Sequence, residues 1–271
     1  MKNLLILAIF LTNLFCYEIV NGDTLVLKFD KNEIESLNFN NKNISLIQNP
    51  QNNNELIAIL AANYRQKNDM LLKITSKNQI QKFTVKLKKG NYKSETLKVE
   101  NSKVNPPKSV QNRIKKEYDE AVKIYAQTTP KYYFNEPFEI PLKSKITSNF
   151  GNARVFNGSL KSYHSGTDFR AVNGTEIFAS NDGIVKIAKD RYYAGGSVII
   201  DHGGGIYSQY YHLSKILVKP EQNVKKGDLI GLSGATGRVS GPHLHFGIAI
   251  NGVSVEPLEF IKKINKEIFN E

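Results

Sequence analysis

Between residues 23 and 99 apolar and polar positions alternate in short runs. Leu25, Leu27 and Phe29 stand against Thr24 and Lys28, and Phe83, Val85 and Leu87 against Thr84, Lys86 and Lys88. A period of two is the mark of a half-buried strand. Residues 56–60 and 70–74 read as further strands, and Asn-rich turns such as Asn52-Asn53-Asn54 separate them, so this stretch predicts a small antiparallel sandwich. Pro106-Pro107 breaks the pattern. Val110, Ile114, Tyr118, Ala121 and Tyr125 then recur at helical spacing as far as Thr128-Thr129-Pro130, which predicts one amphipathic helix whose apolar stripe packs against a domain. From about residue 138 glycines become frequent and short strands return at 184–188, 197–201, 206–212, 229–233 and 243–250. No helical pattern interrupts them before Pro257, and residues 258–269 read as a short closing helix.

The chain is therefore expected to be mainly β: an N-terminal β-sandwich at 17–104, a helical linker at 105–135 and an all-β C-terminal domain at 136–271. Residues 1–16 read as a signal peptide. Met1-Lys2-Asn3 is a basic start, and the apolar run from Leu4 to Leu11 is far short of the roughly 20 residues that span a bilayer. Cleavage between Cys16 and Tyr17 is the expected processing. Lipid modification of Cys16 ranks second, because bulky Phe15 precedes it. Cys16 is the one cysteine of the chain, so a chain cut after it has no disulfide, no thiolate metal ligand and no cysteine nucleophile. The formal charge of +12 suits anionic wall polymers or membrane surfaces, and export argues against nucleic acid.

All five histidines, at 164, 202, 212, 243 and 245, fall in the C-terminal domain. On a strand, alternate residues share a face, so His243, His245, Gly247 and Ala249 lie opposite Leu244, Phe246, Ile248 and Ile250. One face packs and the other presents imidazoles beside small residues. His164 and Asp168, four apart, can also share a face. Two histidines and a carboxylate are a known catalytic zinc set, which keeps a fourth position for water, and bound zinc brings that water's pKa toward ~7.

These residues resemble the M23 metallopeptidases, also called the lysostaphin or LytM family. The likeness runs through Ser148-Asn149-Phe150-Gly151, Tyr163-His164-Ser165-Gly166-Thr167-Asp168, Ala179-Ser180-Asn181-Asp182-Gly183, Asp201-His202-Gly203, Tyr211-His212-Leu213-Ser214 and Gly241-Pro242-His243-Leu244-His245-Phe246. It covers about residues 138–260. HxxxD and HxH in this order, with His212 between them, form a specific signature. The resemblance implies that His164, Asp168 and His245 hold one zinc ion, that His243 is the general base, and that His212 orients water and stabilises the oxyanion. It further implies a LytM-like peptidase fold, and peptidoglycan peptide stems and cross-links as substrate.

His202, in a glycine turn at a strand end, is expected to be structural. Asn149 and Arg154 are within the motif region and could meet a substrate carboxylate, Arg154 as a fork, or be a turn and a solvated charge. Tyr163, Tyr210 and Tyr211 are expected to be packed rings rather than catalytic phenols, one of which could line the groove. A D,D-endopeptidase of a Gram-negative periplasm, able also to trim as a D,D-carboxypeptidase, is the expected activity. The rivals are a glycyl-glycine endopeptidase and a non-catalytic LytM-like activator, although activators of that kind lack the ligands. A lipoyl-type carrier reading of Val224-Lys225-Lys226-Gly227-Asp228 fails because no methionine flanks the lysines.

Overall fold

The alternating N-terminal runs fold as two facing sheets in a computed structural model that describes residues 17–77 and 79–271. The signal-peptide and Cys16 expectations lie outside the described residues. One sheet is ordered Tyr17–Val20, Gln79–Lys88, Met70–Ser76, Ile34–Phe39, Lys42–Ile44, and the other Thr24–Asp30, Asn52–Ala61, Ile47–Asn49. Leu27, Leu37, Phe39, Leu60, Leu72 and Val85 close the core between them. Ile34–Phe39 and Lys42–Ile44 escaped the pattern reading because Asn, Glu and Lys, poor strand formers, fill their exposed positions.

The strand Asn52–Ala61 is buried on both faces over residues 57–60. Ala58 and Leu60 face the sandwich core, whereas Ile57 and Ile59 join the core of the C-terminal domain. A continuous apolar run is what a strand covered on both sides requires, and it makes the two domains one packed unit.

The C-terminal domain is built on a large sheet with the path Ile146–Ser148, Thr167–Arg170, His243–Ile250, Ile206–Ile216, Gly195–Asp201, Gly183–Arg191, Asn223–Val224. Among the described residues no helix lies between Tyr125 and Pro257. The closing helix, Pro257–Ile264, starts at Pro257, whose fixed φ suits a first turn. Its N-cap Glu256 accepts from the Glu259 amide, and Phe260, Ile261 and Ile264 are buried. No described helix is long and apolar enough to cross a membrane.

The helix Lys108–Tyr125 forms as its spacing predicts, but only part of its stripe packs. Ala121 is buried, and Tyr125 meets the Tyr207 ring edge-on. Tyr118 is 67% exposed. The helix is held at that level by polar contacts instead: Arg113 pairs with Asp190, and Glu117 accepts from the Tyr192 amide. A further departure concerns Ser94–Leu97. This short strand pairs with neither sandwich sheet but runs parallel to Ala153–Phe156, which pairs antiparallel with Leu160–Tyr163.

Candidate active site

Asp168 and His245 meet because Thr167–Arg170 and His243–Ile250 are antiparallel neighbours in a register that sets these two residues opposite each other. Directly opposed residues share a face, and alternation puts His243 on that face too. Leu244 and Phe246, pointing the other way, are buried in the core.

His164 comes from the loop before Thr167, not from a strand. That loop approaches closely: a Cβ on Gly166 would lie 2.4 Å from the Phe246 carbonyl oxygen and 2.7 Å from His245 Nε2, so only glycine fits.

His212 arrives by a different device. In the strand Ile206–Ile216, Tyr210 and Leu213 are both buried in the core, which strict alternation forbids for residues three apart. The register against Gly195–Asp201 slips between these two positions, and His212 has φ 65°. The extra residue is a β-bulge, a device that re-aims side chains beside functional sites. It turns both Tyr211 and His212 toward the site: the Tyr211 ring stacks on His245 at 5.3 Å and 3°, and the His212 ring lies 4.8 Å from that of His243.

At the centre His164 Nε2 lies 2.8 Å from Asp168 Oδ1 and 3.0 Å from His245 Nδ1, which is itself 2.9 Å from Asp168 Oδ1. His243 Nε2 is 3.7 Å from the same carboxylate oxygen. Backbone carbonyls fix the imidazole tautomers. The oxygens of Asn149, Thr236 and Gly241 each lie 2.8 Å from Nδ1 of His164, His212 and His243 respectively. A carbonyl only accepts, so each Nδ1 carries the proton and, in the neutral ring, Nε2 keeps its lone pair.

Electrostatics agree with a cation site. Burial pushes His245 down to about 4 despite its bond to Asp168. Burial, with His243 and His245 alongside, also holds His212 well below the ordinary imidazole value. Burial alone would raise Asp168, but His164 and His245 outweigh it and hold that carboxyl well below the usual range. Two imidazole nitrogens and one carboxylate oxygen thus converge with a single negative charge. That donor set fits a divalent zinc-type ion, and His164, Asp168 and His245 are the one such group among the described residues.

Around this centre lies a layer that reading by motif only touched. Arg154 Nη2 donates to Asp168 Oδ2 at 2.7 Å and to Ser148 Oγ at 2.9 Å. Its Nε donates to Glu95 Oε2 at 3.2 Å. Asn149 contributes its carbonyl to His164. Glu95 and the bulge at His212 had no local signal in the sequence: the first stands far from the motifs, and the second depends on strand register. A cleft of about 280 Å³ joins Asp168, His212, His243 and Arg154 to Glu95, Leu97 and Val99 of the preceding domain.

Tyr163 stacks on Tyr64 of the sandwich at 4.2 Å, and Tyr210 is buried. His202 lies apart from the cleft, fully buried, with Asp182 O at 2.7 Å from Nδ1 and Ser208 Oγ at 2.7 Å from Nε2.

The description of peptidase family M23 matches residues 162–257. The peptidoglycan DD-endopeptidase ShyA of Vibrio cholerae serotype O1 is 42% identical over 123 residues, 45% of this chain and 29% of that protein. The DD-carboxypeptidase/endopeptidase Mpg of Neisseria meningitidis serogroup B is 41% identical over 95 residues, 35% of this chain and 22% of that protein. The chain thus spans less than a third of the length of either relative. A Pseudomonas aeruginosa crystal structure assigned to peptidase M23 superposes over 89% of this chain and 94% of its own, with TM-score 0.69 and 27% identity. The likeness therefore extends beyond the histidine-bearing domain to the sandwich and linker. On its motifs and its matched segment, residues 162–257 of this chain form a peptidase family M23 domain.

Proposed function

We propose that this chain is an exported zinc-dependent hydrolase that cuts D,D peptide cross-links of peptidoglycan and trims the same stems as a carboxypeptidase. The observation that carries the reading is the convergence of His164 Nε2, Asp168 Oδ1 and His245 Nδ1 at the base of a cleft, beside two histidines whose Nδ1 protons are committed to carbonyls. The DD-endopeptidase names of the relatives support the D,D bond over a glycyl bridge, and the basic, apolar N-terminus supports export to the periplasm.

His164, Asp168 and His245 would hold the ion, with Arg154 on the second oxygen of Asp168 fixing the carboxylate's orientation. When bound, zinc supplies a water acidified toward neutrality and a Lewis acid for the scissile carbonyl. His243 takes a proton at Nε2 and returns it to the leaving amine, its ring held by Gly241 O. His212, buried and neutral, accepts a hydrogen bond at Nε2 and steadies attacking water. Tyr211 covers the face of His245 and excludes solvent from it.

Sacculi incubated with the zinc-reconstituted chain from Tyr17 onward should release uncross-linked monomers, identified by mass spectrometry. Sacculi left fully cross-linked by folded, zinc-loaded protein, wild type and Glu95→Ala alike, overturn the reading.

A further inference from the structure

Glu95 is held more completely than a strand anchor needs. Its Oε1 accepts from Ser148 Oγ at 2.7 Å and Asn152 Nδ2 at 2.5 Å, and its Oε2 lies 3.0 Å from Ser148 Oγ and 3.2 Å from Arg154 Nε. All three donors belong to the peptidase domain, within seven residues of one another, and Asn152 is only 5% exposed. The carboxylate they bind is delivered from outside, by an edge strand. Arg154 then places it one guanidinium width from the metal-binding side chains, since its other arm holds Asp168.

Resting on the D,D-endopeptidase reading, we infer that Arg154, Asn152 and Ser148 form a carboxylate subsite for the substrate residue beside the scissile amide, which Glu95 occupies as a surrogate. A D-alanyl-to-diaminopimelate link carries such a group: the carbon bearing the cross-linked nitrogen also bears a carboxylate. A glycyl bridge has none. The backbone geometry is consistent with the exchange. Ser94–Leu97 pairs parallel along the edge of Ala153–Phe156, and Leu97 and Val99 line the same cleft as His212 and His243. An extended stem peptide can add to that edge in its place, and its carboxylate then takes over the donors that Glu95 gives up. The site thereby sets specificity for a free acid at that position. Productive binding requires the 94–99 segment to leave.

The test uses the full chain from Tyr17 with Glu95→Ala, which frees the donors without touching a metal-binding side chain. The probe is a D-alanyl-diaminopimelate peptide in two forms, with the carboxylate beside the cross-linked nitrogen free or amidated. Calorimetry on the chelator-treated protein should show the free acid binding about tenfold or more tighter than the amide, because charge-assisted hydrogen bonds to three donors are lost on amidation. Wild type should bind the free acid more weakly than Glu95→Ala does. Adding Asn152→Asp, similar in shape but repelling a carboxylate, should remove the preference while the protein stays folded and retains zinc. Equal affinity of Glu95→Ala for the two forms, or a preference that survives Asn152→Asp, overturns the subsite. Turnover of the same pair by zinc-loaded Glu95→Ala reports separately on the enzyme reading. Selective binding without cleavage removes the peptidase assignment and leaves the subsite standing.

Discussion

Replacing His202 by alanine separates the one structural histidine from the four in the site, and its effect depends on pH in a direction the structure fixes. The ring is fully buried against Phe138, at 5.1 Å between ring centres, and both its nitrogens have partners, Asp182 O and Ser208 Oγ. Alanine leaves a carbonyl and a hydroxyl without those partners, at about 1–3 kcal/mol each, and opens a cavity besides. A loss of about 3–5 kcal/mol at pH 7.5 follows from those terms. Burial pushes the imidazole from its ordinary 6.5 to about 4, partly offset by Asp182. The folded pKa is thus depressed, so the stabilisation is complete above about 6.5 and is lost as pH falls toward about 4. Between pH 7.5 and 4.5 one such group removes roughly 2.5 kcal/mol from wild type and nothing from the variant. Urea unfolding at both pH values, in chelator so that the donor cluster behaves alike in both proteins, should show the gap between them shrinking from about 4 to about 1.5 kcal/mol. Zinc content and sacculus digestion at neutral pH should be those of wild type. A gap that does not change with pH refutes the buried neutral ring, and a folded His202→Ala protein without metal refutes its structural role.

His243→Ala should keep its zinc yet lose ~10² to 10⁴ in turnover, the usual worth of positioned proton transfer, whereas His245→Ala should lose the metal as well; metal analysis beside muropeptide release distinguishes them. Gly166→Ala should cost about 1–3 kcal/mol and weaken zinc binding, since the new methyl would sit 2.7 Å from His245 Nε2; unchanged metal affinity by competition with a chromophoric chelator would contradict the close approach. Glu95→Ala in the chain from Tyr17 unpins Ser94–Leu97 while leaving Ile57 and Ile59 in the shared core, and should digest sacculi faster than the unsubstituted chain; equal rates on the same sacculi would remove any restraint by that segment.

The sequence alone carried the class of fold and the identity of the metal-binding candidates, because both depend on local period and spacing. Alternation in 24–29, 83–88 and 243–250 became strands, helical spacing in 108–125 became a helix, and HxxxD with HxH named His164, Asp168, His243 and His245. What periodicity cannot encode is register. Asp168 faces His245 only because two strands distant in sequence pair at that position, and His212 joins them only because one residue too many is fitted opposite Gly195–Asp201. The double burial of Asn52–Ala61 and the exposure of Tyr118 likewise depend on which surfaces the two domains bring together. Glu95 shows the limit most clearly. Nothing near it in the chain marks it, yet the parallel pairing of a short strand with the peptidase hairpin delivers its carboxylate to Arg154. A side chain's chemistry is local, but its neighbours across a sheet are set by long-range pairing, and that only the folded chain decides.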